Sequence, residues 1–354
     1  MKTRITDVLE IDYPIILASM AWVTNAEMVG IISNAGALGT LGPNAGAKAL
    51  TKDVKETGER LREQIKKVRS MTYRPFAINL VIGAAGLDKA YSERCVEVGI
   101  EEQIPVAIVS QGSPRVYTER LKKARMKVIH VCSTVEHAKK AEQAGVDAIV
   151  ASGTEGGGHS GFEQSTTFCL VPQVADAVEI PVIAGGGVAD GRQLIAALAL
   201  GAEGVYVGTR FIATKECPAH NNYKQILLRS KGGDTIAIRH GNVSVDLSKP
   251  GIGDRGFTTE RRGSLRIILD NKIRNLLAQH SGLINYDILM KAYTGTPTDE
   301  WESLIAAAYI YGDSEKRFFA AGQGVGLIHE PILSCKEVIQ KFMKEADLAL
   351  KKFT

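Results

Sequence analysis

The sequence predicts an α/β fold, a (β/α)8 TIM barrel with a C-terminal, mainly helical subdomain. Three observations carry this. Eight short apolar runs alternate with helix-like segments across the first 215 residues, and eight βα units is the number that closes a barrel. Most of the runs are continuous rather than alternating, as parallel strands buried on both faces must be. A local grammar recurs, in which a helix end leads through Gly and an acidic residue into the next strand: Ala144-Gly145-Val146-Asp147 before Ala148, and Leu200-Gly201-Ala202-Glu203 before Gly204. Gly suits those helix ends because the left-handed conformation costs it little. A doubly wound open sheet is the alternative architecture, but no G-x-G-x-x-G follows the first strand.

The strands are expected at 13–18, 37–41, 76–81, 105–109, 127–131, 148–151, 181–184 and 204–207. Over 52–70, Val54, Leu61, Ile65 and Val68 fall roughly on one helical face with charges opposite. The stretches 114–126, 135–144 and 191–200 read similarly, and Asp190 stands where a helix N-cap belongs. After about residue 215 the pattern changes. Residues 230–263 read as long loops, rich in Gly, basic residues and Asp. Helices are expected at 264–278 (Leu265, Ile268, Ile273, Leu277), 286–293 and 299–311. The segment 335–350 is an amphipathic helix, with Lys341 and Lys344 on its solvated side and Lys351 and Lys352 just beyond. The chain thus divides into a barrel (1–214), a helical lid (215–325) and a final helix returning to the barrel wall (326–354).

Composition bounds the function. The 354 residues are 45% hydrophobic and 23% charged, ordinary for a globular enzyme. A net charge of +4 gives no reason to expect nucleic acid or a membrane surface, and supports at most a mild preference for anionic substrates. The five cysteines are scattered and show no C-x-x-C or Cys/His cluster at metal spacing, so neither a disulfide framework nor a metal site is predicted. No signal-peptide core opens the sequence, and no stretch reaches the roughly 18 apolar residues of a membrane span. A cytoplasmic location is the expectation.

Two glycine clusters carry the chemistry. Glu155-Gly156-Gly157-Gly158-His159-Ser160-Gly161 sets one imidazole on a backbone able to lie flat against a planar ligand. Ala184-Gly185-Gly186-Gly187 follows an apolar run and precedes a helix, where backbone N–H groups can hold a phosphate. Barrel enzymes place their working groups at the C-terminal strand ends. Those positions hold Ser19 and Met20, Asn79, Ser110 and Gln111, Ser152 to His159, Gly185 to Gly187, and Gly208 to Arg210. The turns after strands seven and eight are the usual phosphate site; here both are built on Gly, and Thr209 adds a hydroxyl. Arg210 either neutralises that phosphate or points outward to a carboxylate. His159 titrates near neutrality in model peptides and is the acid/base candidate, the other six histidines having no comparable setting. Asn79 is an amide inside an apolar run, able both to donate and to accept. Gln323 is a ligand contact or a turn residue, and Trp22 reads as packing. A ring-shaped, phosphate-bearing cofactor with one acid/base residue beside it follows.

These residues carry a family resemblance. Arg4-Ile5-Thr6, Tyr13-Pro14-Ile15, Met20-Ala21-Trp22-Val23, Asn34-Ala35-Gly36, Arg74-Pro75-Phe76 with Asn79, Gly157-Gly158-His159, Pro181-Val182-Ile183-Ala184 with Gly185-Gly186, Ala189-Asp190-Gly191-Arg192 and Gly208-Thr209-Arg210-Phe211 span the whole barrel. The chain resembles the flavin-dependent nitronate monooxygenases, formerly 2-nitropropane dioxygenases, and the related FMN-containing enoyl-acyl-carrier-protein reductases. The resemblance implies non-covalent FMN, with its phosphate at Gly186, Gly187, Gly208 and Thr209. It implies that Asn79 contacts the flavin and that His159 faces the substrate. The full cofactor-binding set is Ser19, Met20, Asn79, Ser152, Gly157, Gly158, Gly185, Gly186, Gly187, Gly208, Thr209 and Gln323, with His159 catalytic. The sequence departs from the pattern at Ala18-Ser19, where relatives carry Gly-Gly, and at Ser152, where they often carry Glu or Gln. The segment 242–262 is longer and more basic than in either group.

The activity implied first is oxidation of alkyl nitronates with O2 to carbonyl compounds and nitrite. The N-terminal segment through Trp22 looks more like the reductases, whereas 322–326 looks more like the monooxygenases. The alternatives are an NAD(P)H-dependent enoyl reductase, which brings an acyl carrier protein as partner, and an NADH:quinone reductase. A flavin-binding protein without turnover and a flavin-free phosphosugar enzyme are the readings from other classes. The partners implied are a small-molecule substrate and O2; a homodimer is compatible with all of them.

Overall fold

The computed structural model describes residues 1–48, 51, 53–83, 86–239, 244–245, 257–258, 263–280, 282, 284–294, 309, 311–312 and 318–352. Eight strands form one parallel sheet: β1 (Ile15–Leu17), β2 (Gly39–Leu41), β3 (Phe76–Val81), β4 (Val106–Ser110), β5 (Lys127–Cys132), β6 (Ala148–Ser152), β8 (Val182–Gly185) and β9 (Gly204–Val207). Each strand neighbours its predecessor, β9 pairs with β1, and an Ile16–Leu38 bridge joins β1 to β2, so the barrel closes. All eight strands fall at the positions the apolar runs predict, with ends shifted by no more than two residues.

Alternation along each strand builds two cores. Ile16, Leu38, Ala77, Ile108, Ile129, Val150 and Ile183 point inward and fill the barrel. Ile5 and Leu9 of α1 (Arg4–Leu9), with Ile11, join that cluster and plug one end. Leu17, Ile78, Leu80, Val128, Ile149 and Val205 point outward, beneath the helices. Burial on both faces is why the strands read as unbroken apolar runs.

The outer layer contains α2 (Ala26–Asn34), α3 (Val54–Met71), α4 (Gly86–Glu101), α5 (Thr118–Lys123), α6 (Val135–Gln143), α7 (Thr167–Ala175) and α8 (Gly191–Ala199). Caps set several starts: Asn25 accepts from Met28 N, Asp53 from Lys55 N, Thr134 from His137 N and Asp190 from Gln193 N. Each such cap stabilises by about 1 kcal/mol. The eighth position of this layer is taken by α13 (Cys335–Leu350), which packs between α8 and α2. Gly191 N, at the start of α8, donates to Glu345 Oε2 at 3.1 Å. The final helix therefore returns to the barrel wall, and the chain between β9 and α13 is an insertion within the last βα unit.

That insertion carries α9 (Thr209–Ile212), α10 (Asn221–Arg229), β10 (Thr235–Arg239), β11 (Ser244–Val245), β12 (Phe257–Thr258), β13 (Ser264–Ile268), α11 (Asn271–Gln279) and α12 (Tyr286–Thr294). Two expectations are corrected here. Thr235–Arg239 is a strand rather than loop, and Ser264–Ile268 is a strand rather than the first turn of a helix, which begins only after the Asp270 cap. Every residue of β13 is buried, because it lies between β10 and a short strand, β7 (Gly158–Ser160). Leu265 and Ile268 are three apart and Ile273 and Leu277 are four apart, so each pair alone has helical spacing, although the step between the pairs is five. The expected helix at 299–311 falls almost wholly outside the described residues. Among the described residues no helix is long and apolar enough to cross a membrane.

Candidate functional site

The barrel mouth is ringed by polar inward positions. Two residues beyond Leu38, Ala77, Ile108 and Val150 come Thr40, Asn79, Ser110 and Ser152, and Tyr206 packs on the same inner cluster from β9. Asn79 Nδ2 donates to Ile108 O at 2.8 Å and to Ser110 Oγ at 3.2 Å. Among the described residues its Oδ1 accepts no hydrogen bond. Thr40 Oγ1 is buried without a hydrogen-bond partner among the described residues. Ser19 N donates to Tyr206 Oη at 2.9 Å. Burial raises the Tyr206 pKa, opposed by the Ser19 bonds, so the phenol stays neutral. Met20 is half-buried, its sulfur over the turn at Gly208.

The two glycine turns meet on one segment. Gly186 and Gly187 take φ of +101° and +75°, which side-chain-bearing residues rarely adopt. The Glu155 carboxylate accepts from Thr167 N at 2.8 Å and Thr167 Oγ1 at 3.0 Å, tying the histidine loop to the start of α7. Gln323 N donates to Glu155 O at 2.9 Å, and Gly322 N to Thr209 Oγ1 at 3.0 Å. Gly157 is held so close that a Cβ there would lie 2.5 Å from Gly322 N. Ser152 borders Gly156 and Gly185. Thus Ser152, Gly157, Gly185, Gly186, Gly187, Thr209 and Gln323 come together, with Ser19, Met20 and Gly208 grouped across the β1–β9 seam. Gln323 opens a 3-10 turn (Gln323–Leu327) with its side chain exposed.

His159 stands exposed at the centre of β7, paired across from Leu265 in β13. The β10-β13-β7 sheet braces it, and Ser160 Oγ lies 2.7 Å from Ser264 Oγ. Arg266, one residue on, is buried; its Nε donates to Thr154 O at 2.7 Å and its Nη1 to Thr235 Oγ1 at 3.1 Å. Desolvation lowers the Arg266 pKa and Glu155 opposes that. Arg210 is buried; desolvation lowers its pKa, and the charge of Glu345 on α13 opposes that. Trp22 packs in the outer core as expected, although its indole Nε1 is buried without a partner among the described residues.

A family described as nitronate monooxygenase matches residues 2–345. The chain belongs to the nitronate monooxygenase family. It is therefore an oxidoreductase. A probable nitronate monooxygenase from Staphylococcus saprophyticus is 33% identical over 276 residues, covering 67% of this chain and 75% of that one. A (3aS,4S,5R,7aS)-5-hydroxy-7a-methyl-1-oxo-octahydro-1H-indene-4-carboxyl-CoA dehydrogenase from Mycobacterium tuberculosis is 32% identical over 366 residues, covering 98% of this chain and 96% of that one. Among solved structures, FabK from Thermotoga maritima superposes with a TM-score of 0.80 at 32% identity, covering 100% of this chain and 98% of that one.

Several site features of this family member escape sequence reading. Thr40 and Tyr206 lie inside apolar runs, and only strand register turns them toward the mouth. Arg266 is 112 positions from the Thr154 carbonyl it holds, and Thr167 reads only as a helix start. A surface cleft of about 560 Å³ between α10, β13 and α11 is lined by Arg229, Asp234, Asp270 and Arg274, and by none of the predicted site residues. The fold also brings together a Cys/His group that the sequence spacing does not show. His130, Cys132 and His137 bring their donor atoms within 4.8 Å of one another, because the first two share the outward face of β5 and the third sits in the first turn of α6.

Proposed function

We propose that this chain is an FMN-dependent oxidoreductase that oxidises alkyl nitronates with O2 to a carbonyl compound and nitrite. The observation that carries the reading is the convergence of the histidine loop and both glycine turns on residues 321–324, beside a ring of polar groups at the barrel mouth. The mouth fits a flavin. The buried Thr40 hydroxyl and Asn79 Oδ1 are unspent hydrogen-bonding groups that the ring's mixed edge would satisfy. Gly185, Gly186, Gly187, Gly208 and Thr209 would hold the phosphate. Ser19, Met20, Asn79 and Ser152 would border the ring, with Gly157, Gly158 and Gln323 on the flank of the histidine loop. Bound there, FMN supplies the electron acceptance that no side chain can. His159 takes the α-proton of a neutral nitroalkane or, protonated, pairs with the nitronate charge. The Arg266 and Glu155 contacts hold the strand that carries it.

One observation favours a second reading, an NAD(P)H-dependent reductase of an enoyl thioester. The mycobacterial CoA-thioester dehydrogenase matches the chain end to end, insertion included, whereas the staphylococcal relative matches two thirds of it. In that reaction a hydride reaches the β-carbon and His159 delivers a proton to the α-carbon.

An anaerobic titration separates the two, with visible flavin absorbance as the readout. Bleaching by propyl nitronate but not by NADH or NADPH supports the monooxygenase. Rapid bleaching by a nicotinamide alone overturns it in favour of the reductase. A purified protein that takes up no FMN overturns both.

A further inference from the structure

His130, Cys132 and His137 lie outside the mouth, between β5 and α6. His130 and Cys132 are fully buried and His137 is half-buried. The two imidazole Nε2 atoms stand 3.2 Å apart. Two histidine nitrogens on one tetrahedral zinc ion, at the usual bond lengths, stand about 3.3 Å apart. All three donor atoms fit within 4.8 Å. A zinc-bound nitrogen and sulfur stand about 3.6 Å apart, so Cys132 closes the set by moving about 1 Å. A neutral imidazole offers one nitrogen lone pair to a metal ion.

From this geometry we infer that His130, Cys132 and His137 form a site for a divalent transition-metal ion, Zn2+ by its donor set. Two imidazoles and one thiolate suit zinc, and the half-exposed His137 side leaves a fourth position to water. Burial pushes the Cys132 thiol pKa up. Binding must therefore expel that proton to solvent, and the cation's charge drives it. The next residue, Ser133, lies against Gly161, where any side chain would overlap the serine hydroxyl. The ion would thus pin β5 to α6 directly beneath the turn that ends the His159 strand. It has no part in electron transfer, because the site faces the helix layer rather than the barrel interior.

Cobalt(II) tests this on the full-length protein, carrying any cofactor it retains and first stripped with a chelator. The expected result is uptake of a single equivalent per chain. It should show the red d–d bands of tetrahedral cobalt and a thiolate charge-transfer band, both removed by zinc. Cys132→Ser should lose the charge-transfer band, and His137→Ala should lose the tetrahedral spectrum. His137 lies at a half-exposed helix position, so His137→Ala carries the test even where Cys132→Ser fails to fold. Zinc should also raise the melting temperature of the stripped wild-type chain but not that of His137→Ala. No tetrahedral spectrum in the wild type would leave the two rings as a simple hydrogen-bonded pair and overturn the site. So would a spectrum unchanged by His137→Ala.

Discussion

Tyr206 Oη accepts the backbone N–H of Ser19 at 2.9 Å and lies 3.0 Å from the Ser19 hydroxyl. The two residues come from β9 and from the turn after β1, so this contact ties the barrel's closing seam at the mouth. Ser19 also stands where relatives of this chain are expected to carry glycine. The phenol thus fixes a turn that would otherwise be freer.

Tyr206→Phe keeps the ring's packing and removes the oxygen. Losing one hydrogen bond of this kind costs about 1 kcal/mol, and the orphaned Ser19 N–H adds to that only where water cannot reach it. The expected outcome is a slightly lower melting temperature together with a several-fold weaker FMN affinity, read by fluorescence titration. An unchanged FMN affinity would mean that the seam does not shape the cofactor site.

Gly157 and Gly158 make a paired test of the histidine loop. A Cβ on Gly157 would lie 2.5 Å from Gly322 N and 2.6 Å from Ala321 C, backbone atoms that cannot rotate away. A Cβ on Gly158 meets nothing within 4 Å but must be carried at φ +77°. Gly158→Ala should therefore cost about 1 kcal/mol of backbone strain. Gly157→Ala should cost more, about 2 kcal/mol or above, by forcing the two loops apart. Thermal unfolding ranks them, and the reverse order would show that the 321–324 contact is not what makes Gly157 necessary.

The difference between these neighbours shows what the sequence can and cannot carry. The glycine motif and His159 are legible because three consecutive glycines before a histidine mark a backbone that something must approach closely, although the partner that approaches Gly157, the 321–322 backbone, is not legible there. The eight strands are legible because burial on both faces writes an unbroken apolar run for each. β13 is not legible: its Leu265 and Ile268 by themselves have helical spacing, and its polar members Ser264 and Arg266 are buried only because the Thr154 carbonyl, the Thr235 hydroxyl and Ser160 receive them. Tyr206 is hidden for a related reason. One tyrosine in an apolar run shows neither the face it takes nor the serine 187 positions away that it meets. Pairings across the fold depend on register, and register is not written in any local window.

Arg266 should matter to stability first and to turnover second. Arg266→Met removes both of its hydrogen bonds and leaves Thr154 O and the Glu155 charge without their cation. Hydrogen bonds to charged groups are worth about 1.5–3 kcal/mol, so a melting temperature lower by several degrees is the expected outcome. Arg266→Lys should recover part of it, since a lysine keeps the charge but cannot reach both oxygens with one planar group. A Met variant as stable as wild type would show that β13 holds β7 through its backbone ladder alone.

His159→Asn decides the chemistry assigned to the histidine. His159 is exposed on β7 and its ring fills no core, so the substitution should leave the fold and FMN content intact. With neutral nitroalkanes the proton must leave carbon before electrons can, and loss of a positioned base should lower turnover by about a hundredfold or more. With preformed nitronate that proton is already gone. If His159 acts only as the base, nitronate turnover stays close to wild type. If the imidazolium also pairs with the substrate's charge, KM for nitronate rises and the loss deepens at low salt, where that attraction is least screened. Steady-state rates with both forms of one substrate, at two ionic strengths, separate these outcomes. Equal rates for mutant and wild type with both forms would remove His159 from the mechanism.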